Sequence, residues 1–518
     1  MTPPHFNFPI RALLHLLLVL QFIALIQGGQ ARAQSAPPND CFSLETGCYL
    51  DQKGKIVSQE QAYVNLFPKE KPHYLRTGLE ISLALLSGVT WYWIDRDRQV
   101  ADWDFPSLGE RFQLDAWIYD ANPFSINFIW HSLAGGYYHL VARSNNFGLL
   151  ASAGWGFAAS MAWEFGAEFK ESVSINDTVF TTGSGLPIGE YFHWLGRYLS
   201  TREAGTLGHK MRWVGAIPYS LHQTIDGTYD PNWVPDIRHR LTLTAGVSSL
   251  QRSDGESTLL PSFHARGEIV AMPGYLAPGT FSRKFGEGNF NSVDLRLRFT
   301  PSQGQASFRA DTLLAGFYGQ SISTHGTGSA GVVALAMGVD YWQEGLRGGW
   351  QDKIAAAHLP GLAAEWHYLP ASNFRVTGTG RFHPDFAGVH ALSHAEWREQ
   401  NPDETTKTAL ERQSYYFGWG LTARGSLQVS MPRLELGAAF SHSRYDSHEG
   451  QDRNQDRITA DVDHDDRLTE VSSWVLLSPW KQSFVEARYT HRRRRSSQDG
   501  VSASQHIDTL EVSAGVRL

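Results

Sequence analysis

Residues 293–299 read Val-Asp-Leu-Arg-Leu-Arg-Phe, with apolar and charged side chains in strict alternation. Successive side chains of a β-strand point to opposite faces, so this stretch predicts a strand with one apolar and one polar face. The apolar set is Val293, Leu295, Leu297 and Phe299. We expect this set to face lipid if the strand belongs to a membrane barrel.

The same alternation recurs through the second half of the chain, at residues 374–377, 415–424 and 510–518. Segments of about ten residues with one apolar face and one polar or glycine-rich face are typical of transmembrane β-barrels. A soluble β-sandwich also alternates. Three features favour the barrel: a predicted export signal, aromatic residues near the strand ends, and an amphipathic final strand. The sequence therefore predicts an antiparallel transmembrane β-barrel over residues 206–518.

Turn and loop lengths give a strand count. Short turns, which are typical of the periplasmic side, are predicted at residues 301–305, 430–432 and 478–482. Long polar loops, which are typical of the external side, are predicted at residues 401–413, 446–467 and 492–505. The alternation stays in phase over 14 strands if residues 387–398 and 211–222 are strands. Without both, 12 is the even alternative.

Charge and hydropathy exclude several classes of protein. The chain of 518 residues has 45 Lys+Arg against 52 Asp+Glu, a formal charge of −7. That balance disfavours a nucleic-acid binder, which needs a basic surface to displace counterions. The mean hydropathy of −0.31 is too polar for a bundle of fully apolar spanning helices. A hydrophobic content of 42% is too high for a disordered chain.

Residues 1–33 have the three parts of a secretory signal peptide. Arg11 supplies the positive charge, residues 12–26 form the apolar region, and Ala31-Arg32-Ala33 is a small-residue cleavage site. A membrane anchor is the alternative, but the apolar region is short for a span. We therefore predict an exported protein of the Gram-negative envelope, located in the cell outer membrane.

Only two cysteines are present, Cys41 and Cys48. Exported chains meet oxidising conditions, so we expect a disulfide that closes a small loop. The spacing does not resemble a zinc site. We place this disulfide in a periplasmic N-terminal segment, residues 34–71.

Residues 72–205 have a helical pattern, so the predicted fold class is α+β: a helical domain rich in small residues, followed by a barrel of about 12–14 strands. The candidate helices lie within residues 74–96, 121–142, 147–163 and 188–199. Small residues allow helices to approach closely. Because Glu80, His131 and Glu164 interrupt these segments, we favour helices packed inside protein over lipid-facing spans.

The most unusual polar residues of the helical half follow a recognisable order. The motifs are Trp130-His131, Tyr137-Tyr138, Arg143, Trp163-Glu164, Glu168, Ser174-Ile175-Asn176-Asp177 and Gly189-Glu190. This pattern resembles a bacterial family known as domain of unknown function 3943, over residues of about 95–200. The resemblance implies little about mechanism, because the family has no settled activity.

These polar side chains are expected to form a network, since buried carboxylates are costly unless they are paired or hydrogen-bonded. Its predicted members are Asn127, His131, Tyr138, Arg143, Ser160, Glu164, Glu168, Ser174, Asn176, Asp177, Thr182 and Glu190. In particular, His131, Arg143, Glu164 and Asp177 are expected to meet.

Three interpretations of this network stay open. The first is structural: polar side chains that lock the bundle. The second is a catalytic or metal site, with His131, Glu164 and Asp177 as the catalytic candidates. The third is a site for lipid or a small ligand. Neither a resident metal nor a cofactor is predicted.

The predicted partners are outer-membrane lipid and lipopolysaccharide, whose phosphates the run Arg492–Arg495 would bind; nucleic acid is not among them. The first functional hypothesis is a non-enzymatic channel or structural envelope protein with a helical plug or periplasmic domain. The second is an envelope enzyme that acts on lipid or glycan through His131, Glu164 and Asp177. The third is a soluble periplasmic binding protein.

Overall fold

The computed structural model describes residues 49–50, 56–67, 71–94, 103–200, 210–213, 217–227, 237–253, 255, 257–299, 304–345, 351–461, 463–480 and 482–517. The predicted signal peptide and the predicted Cys41–Cys48 disulfide lie outside the described residues.

Within the described part of the chain, twelve antiparallel strands form a closed barrel. They are β1 (Arg238–Arg252), β2 (Ser257–Val270), β3 (Gly279–Phe285 and Phe290–Phe299), β4 (Gly304–Ile322), β5 (Gly328–Gly345), β6 (Gln351–Ala371), β7 (Phe374–His390), β8 (Tyr415–Ser430), β9 (Leu434–Ser447), β10 (His464–Leu477), β11 (Ser483–Gln498) and β12 (Val501–Arg517). Both pieces of β3 pair with β4. β12 pairs with β1, which closes the sheet.

The barrel has two unlike ends. The loop end carries residues 391–414 and 448–463, whereas the turn end carries the start of β1, the end of β12 and short connections such as residues 431–433. The connection between β3 and β4 lies at the loop end, so the short turn predicted at residues 301–305 was assigned to the wrong side. Residues 492–505 are mostly strand rather than the long loop expected, because β11 and β12 are joined through residues 499–500 alone.

The barrel has 12 strands, which is the alternative count, and not the 14 strands that the in-phase alternation predicted. Residues 217–225 form a helix, so the strand predicted for residues 211–222 is wrong; Pro218 stands in its first turn, where proline is favoured. The strand predicted for residues 387–398 is also wrong beyond His390. There, residues 394–400 form a helix from good helix formers such as Ala395 and Glu396.

The outer face of the wall is apolar. Leu362 and Leu421 point outward and are 61% and 51% exposed. The predicted lipid face of β3 also points outward, and Phe299 is exposed. Leu295, by contrast, is covered by neighbours on the same face, and Val293 lies beneath a helix.

The inner face is charged, and its ion pairs join strands that are far apart in the sheet. Arg252 of β1 pairs with Glu344 of β5 at 2.9 Å. Arg494 of β11 pairs with Asp352 of β6. Such strands can meet only across the lumen, so this face is the interior. An apolar outer face and a polar inner face are the polarity of an outer-membrane-type barrel.

The lumen is closed near the loop end by an apolar cluster. Trp342, Tyr416 and Ile507 come from β5, β8 and β12, yet they pack in one group with Trp397 and Leu410. Trp397 and Leu410 belong to the long connection 391–414, whose helices fold into the barrel mouth. The connection therefore fills this end of the lumen.

The helical half contributes eight helices to the described residues. They are α1 (Gln59–Val64), α2 (Tyr74–Ile94), α3 (Leu108–Phe112), α4 (His131–Ser144), α5 (Leu149–Ala162), α6 (Ile175–Val179), α7 (Gly185–Ser200) and α8 (Ile217–Ile225); the lumen helices are α9 (His394–Gln400) and α10 (Thr408–Gln413). Wider π-helical turns occupy Ser125–Trp130, Trp163–Ala167 and Phe180–Ser184. None of these described helices is both long enough and apolar enough to cross a membrane.

The bundle formed by α2, α4, α5 and α7 lies against the outer face of the barrel, and not in its lumen. Ile188 of α7 packs on Ala310 and Val339, which point outward. Phe128 fits against Gly388 of β7, where an added Cβ would lie 1.9 Å from the ring. The expected helical plug or periplasmic domain is therefore a bundle beside the wall.

The bundle extends along the whole height of the wall. At the turn end, Tyr198 of α7 is hydrogen-bonded to His239 of β1 at 2.7 Å. At the loop end, Asn127 donates to the Tyr415 hydroxyl of β8 at 2.9 Å, and Asp104 pairs with Arg453 at 3.1 Å. Its helices consequently run roughly parallel to the barrel axis.

We expect Gly135→Ala to loosen the bundle without opening the barrel. An added Cβ at Gly135 would lie 1.7 Å from the Thr181 carbonyl oxygen, so α4 and the 180–184 turn must separate. Overpacking of this kind costs about 1–3 kcal/mol. Limited proteolysis of the helical half and heat-modifiable gel migration of the barrel would measure the two effects separately.

The matched control is Gly154→Ala on α5, where an added Cβ meets nothing within 4 Å. Alanine there should be neutral or stabilising by about 0.5–1 kcal/mol. Equal protease sensitivity in the two variants would contradict the close approach at Gly135.

Candidate functional site

The candidate site is assembled by the three π-helical turns and α6. His131 follows the turn 125–130, Glu164 lies in the turn 163–167, and Asp177 lies in α6 just before the turn 180–184. π-helical turns are rare and occur often at functional sites. Glu164 and Asp177, which lie in or beside these turns, are buried in the interior of the bundle.

Three carboxylates and one imidazole meet here. One oxygen from each of Glu164, Glu168 and Asp177 lies within 4.8 Å of the others. His131 Nε2 lies 3.3 Å from Asp177 Oδ2. The structure thus brings together His131, Glu164 and Asp177, three candidates that lie on separate segments of the sequence.

The carboxylates are buried and only partly satisfied. Glu164 and Asp177 are each 1% exposed, and Glu168 is 9% exposed. The Ser174 backbone N–H donates to Glu164 Oε2 at 2.8 Å. Glu164 Oε1 and Asp177 Oδ2 are buried without a hydrogen-bond partner. Orphaned buried oxygens of this kind are uncommon and require an explanation.

Local backbone geometry holds the acidic residues in place. Ser174 caps α6, because its hydroxyl accepts from the Asp177 backbone N–H at 3.2 Å. Arg111, which the sequence analysis missed, donates to the backbone carbonyls of Glu164 and Glu168 at 2.9 and 3.2 Å. Arg111 therefore satisfies backbone carbonyl groups of the turn and does not bind the carboxylate groups.

A second layer of amides joins the site to the barrel. Asn127 and Asn176 donate to Asp120, with Asn176 Nδ2 at 3.1 Å from Asp120 Oδ1. Asn176 also donates to Asp177 Oδ1 at 2.8 Å. The sequence analysis missed Asp120, which belongs to no motif, and Tyr415, which lies 288 residues from Asn127. Through Tyr415, this layer ties the site to the loop end of the wall.

Burial shifts the pKa values of all four site groups. It raises the pKa of Glu164 to about 8, and it raises the pKa values of Glu168 and Asp177 well above their usual range, with neighbouring carboxylates adding to each shift. Burial lowers the pKa of His131 to about 4. The imidazole is consequently neutral at pH 7, with a ring nitrogen facing Asp177.

Several predicted network members lie elsewhere. Arg143 does not meet His131 and Glu164 as expected, because it pairs with Glu190 and Glu287, both at 2.9 Å. His139 is the second partner of Glu190, at 2.9 Å. These contacts join the bundle to the interruption of β3 and form a separate ion-pair cluster.

The remaining predicted members have structural surroundings. Tyr138 packs in an apolar cluster with Ile81, Val141 and Ala159. Ser160 is buried on α5. At the two adjacent threonines, it is Thr181 and not Thr182 that contacts the imidazole, with its hydroxyl 3.1 Å from His131 Nδ1.

Comparisons with solved structures return outer-membrane barrels. A loop-deletion mutant of OmpT of Vibrio cholerae is 8% identical, with a TM-score of 0.21 over 54% of this chain and 99% of that chain. The NanC porin is 10% identical, with a TM-score of 0.23 over 52% and 98%. The translocator domain of the autotransporter NalP from Neisseria meningitidis is 12% identical, with a TM-score of 0.20 over 57% and 93%.

TM-scores this low carry no functional argument, and the barrel type rests on the polarity of the wall. No curated protein matches the chain. Residues 116–218 match the family model described as "Domain of unknown function (DUF3943)". This match confirms the resemblance predicted from the motifs, and it covers the segment that supplies His131, Glu164, Glu168 and Asp177.

Proposed function

We propose that this chain is an outer-membrane protein, exported by a cleaved signal peptide, whose closed barrel anchors the helical bundle beside lipid and does not serve as an open channel. The observation that carries the proposal is the set of ion pairs across the lumen. Arg252–Glu344 and Arg494–Asp352 each connect distant strands. A solute path would have to break or bypass them.

Energetics support a permanently closed lumen. Glu344 and Asp352 have no exposed surface, and removing one partner of a buried pair costs about 3–5 kcal/mol. The apolar cluster around Trp397 and Leu410 adds a second barrier at the loop end. The channel hypothesis is therefore the weaker of the two non-enzymatic roles, and the role of envelope anchor is the stronger.

Lipid contact accounts for the outer side of the bundle. The exposed residues Leu75, Leu79, Leu83 and Leu86 of α2 form one stripe, and each is between 57% and 78% exposed. A stripe of this kind is unfavourable in water and indicates a membrane or protein interface. Because the barrel wall beside it is also apolar, outer-membrane lipid is the partner that fits both surfaces.

The hydroxyls of α2 are consistent with lipid. Ser87 donates to the Leu83 carbonyl at 2.9 Å, and Thr90 donates to the Leu86 carbonyl at 2.8 Å. Such bonds satisfy an exposed hydroxyl within its own helix when water is scarce. This arrangement supports placing the α2 surface against acyl chains.

We expect the purified protein to be non-conducting in planar bilayers and in liposome-swelling assays, because ion pairs and the 391–414 connection close the lumen. The matched variant replaces residues 392–413 with a short turn and both Arg252 and Arg494 with glutamine, which removes the apolar closure and the cross-lumen ion pairs together and should increase permeation. Steady conductance by the wild-type protein at the level of a general porin would refute the anchor proposal.

Lipopolysaccharide is the proposed partner at the loop end. Arg444, Arg467 and Arg495 stand opposite one another on β9, β10 and β11, and Arg493 lies one outward position away. Arg493 and Arg495 are exposed, whereas Arg494 points into the lumen. Guanidinium groups bind phosphate in bidentate fashion. Only the outward half of the predicted basic run is thus available to a lipid phosphate.

The double variant Arg493→Gln/Arg495→Gln should retain less lipopolysaccharide during purification, because two phosphate-binding groups are lost. Quantitative lipid analysis of the purified protein would measure this reduction. Arg433→Gln, at an exposed turn on the opposite rim, is the matched control. Equal lipopolysaccharide content in both variants would contradict binding at the loop end.

A second candidate function is an envelope enzyme that acts on lipid. The observation in its favour is that the His131 side chain is 17% exposed, while its partner Asp177 is buried and 3.3 Å away. A neutral imidazole beside a carboxylate is suited to general acid–base catalysis. The site also lies at the loop end, near the outer leaflet.

If this candidate is right, cells that overproduce the wild-type protein should contain an altered lipid species that is absent with His131→Gln. Lipid mass spectrometry of outer membranes would detect it. His325→Gln, in an exposed turn, is the control and should behave as wild type. Identical lipid profiles for wild type and His131→Gln would exclude this function.

A further inference from the structure

The three acidic residues and His131 have the composition of a metal site. We propose that Glu164, Glu168, Asp177 and His131 bind one divalent transition-metal ion at the loop end of the bundle. Three carboxylates supply hard oxygen ligands and the imidazole supplies a nitrogen, a combination suited to ions such as Mn²⁺ or Zn²⁺. Ca²⁺ fits less well, because it prefers six to eight oxygen ligands.

The distances fit ligands of one ion. Metal–ligand bonds of about 2.0–2.2 Å place two neighbouring ligand atoms about 3.0–3.5 Å apart. His131 Nε2 and Asp177 Oδ2 are 3.3 Å apart. The carboxylate oxygens lie within 4.8 Å of one another. The His131–Asp177 pair already has the spacing of two adjacent ligands, and the three carboxylates would draw together around the ion.

The unsatisfied oxygens are the independent observation in favour of an ion. Glu164 Oε1 and Asp177 Oδ2 lack hydrogen-bond partners although both residues are 1% exposed. A cation satisfies both at once and offsets the cost of burying three acidic groups together.

Neighbouring groups orient these ligands through hydrogen bonds, as the second coordination shell does in metal sites. Ser174 N–H donates to Glu164 Oε2, Asn176 donates to Asp177 Oδ1, and Thr181 contacts His131 Nδ1. Each contact engages Glu164 Oε2, Asp177 Oδ1 or His131 Nδ1 and leaves the other oxygen or nitrogen of that side chain for the ion, an arrangement that orients metal ligands in known sites. The partly exposed edge of His131 gives the ion a route of entry.

The test uses the full chain purified from outer membranes, loaded with Mn²⁺ or Zn²⁺ and then desalted. Elemental analysis should find about one ion per chain in the wild type. Glu164→Gln and Asp177→Asn should each lower metal occupancy at least about tenfold. The control is Glu190→Gln, a carboxylate equally buried in the bundle whose oxygens are both paired; it should retain the ion.

A second measurement does not depend on the folding of any carboxylate variant. The electron-spin-echo spectrum of Mn²⁺ bound to the wild-type protein should show nitrogen coupling from the imidazole, and His131→Gln should lose it. The proposal is overturned by a wild type that binds no ion after loading, by bound Mn²⁺ without nitrogen coupling, or by equal occupancy in Glu164→Gln and the control. None of these outcomes bears on lumen closure, so the anchor proposal is tested separately.

Discussion

Closure of the sheet through β12 and β1 is the constraint on which the rest of the structure depends. Once the sheet is closed, the backbone groups of the strands are satisfied, and the two faces become an inside and an outside. The charged side chains of the inner face must then pair with one another within the small volume of the lumen. They do so through pairs such as Arg252–Glu344, which fill the lumen and leave the outer wall as the surface available to the helices.

The sequence predicted the wall well because period-two alternation is a local signal. Residues 293–299 and 415–424 are strands with the expected faces. The two wrong strands had apolar residues of ambiguous period, and the deciding signals were Pro218 in a helix first turn and the contact of Trp397 with the lumen cluster. The contact of Trp397 is a tertiary interaction, which no local sequence pattern indicates.

The site was predictable only in part, for a similar reason. His131, Glu164 and Asp177 stand out as polar residues in apolar segments, and the need to pair buried charges predicted their convergence. Of the two partners of Arg143, Glu190 was a predicted network member, but Glu287 was not predictable because it belongs to the barrel and lies 144 residues away. Nor did any periodicity reveal the π-helical turns, which set the orientation of the site side chains.

The position of the bundle on one side of the wall has a consequence for how the molecule is built. The bundle covers outward residues from the start of β1 to β8, including Leu241, Ala310, Val339 and Phe386. Val247 and Val512, which face each other where β1 meets β12, remain exposed. The seam around Val247 and Val512 is therefore free of the helices, which contact β1 only at its start, and the bundle can dock on a curved, still-open sheet without obstructing the last pairing. The helical bundle can therefore dock before β1 and β12 pair and close the barrel.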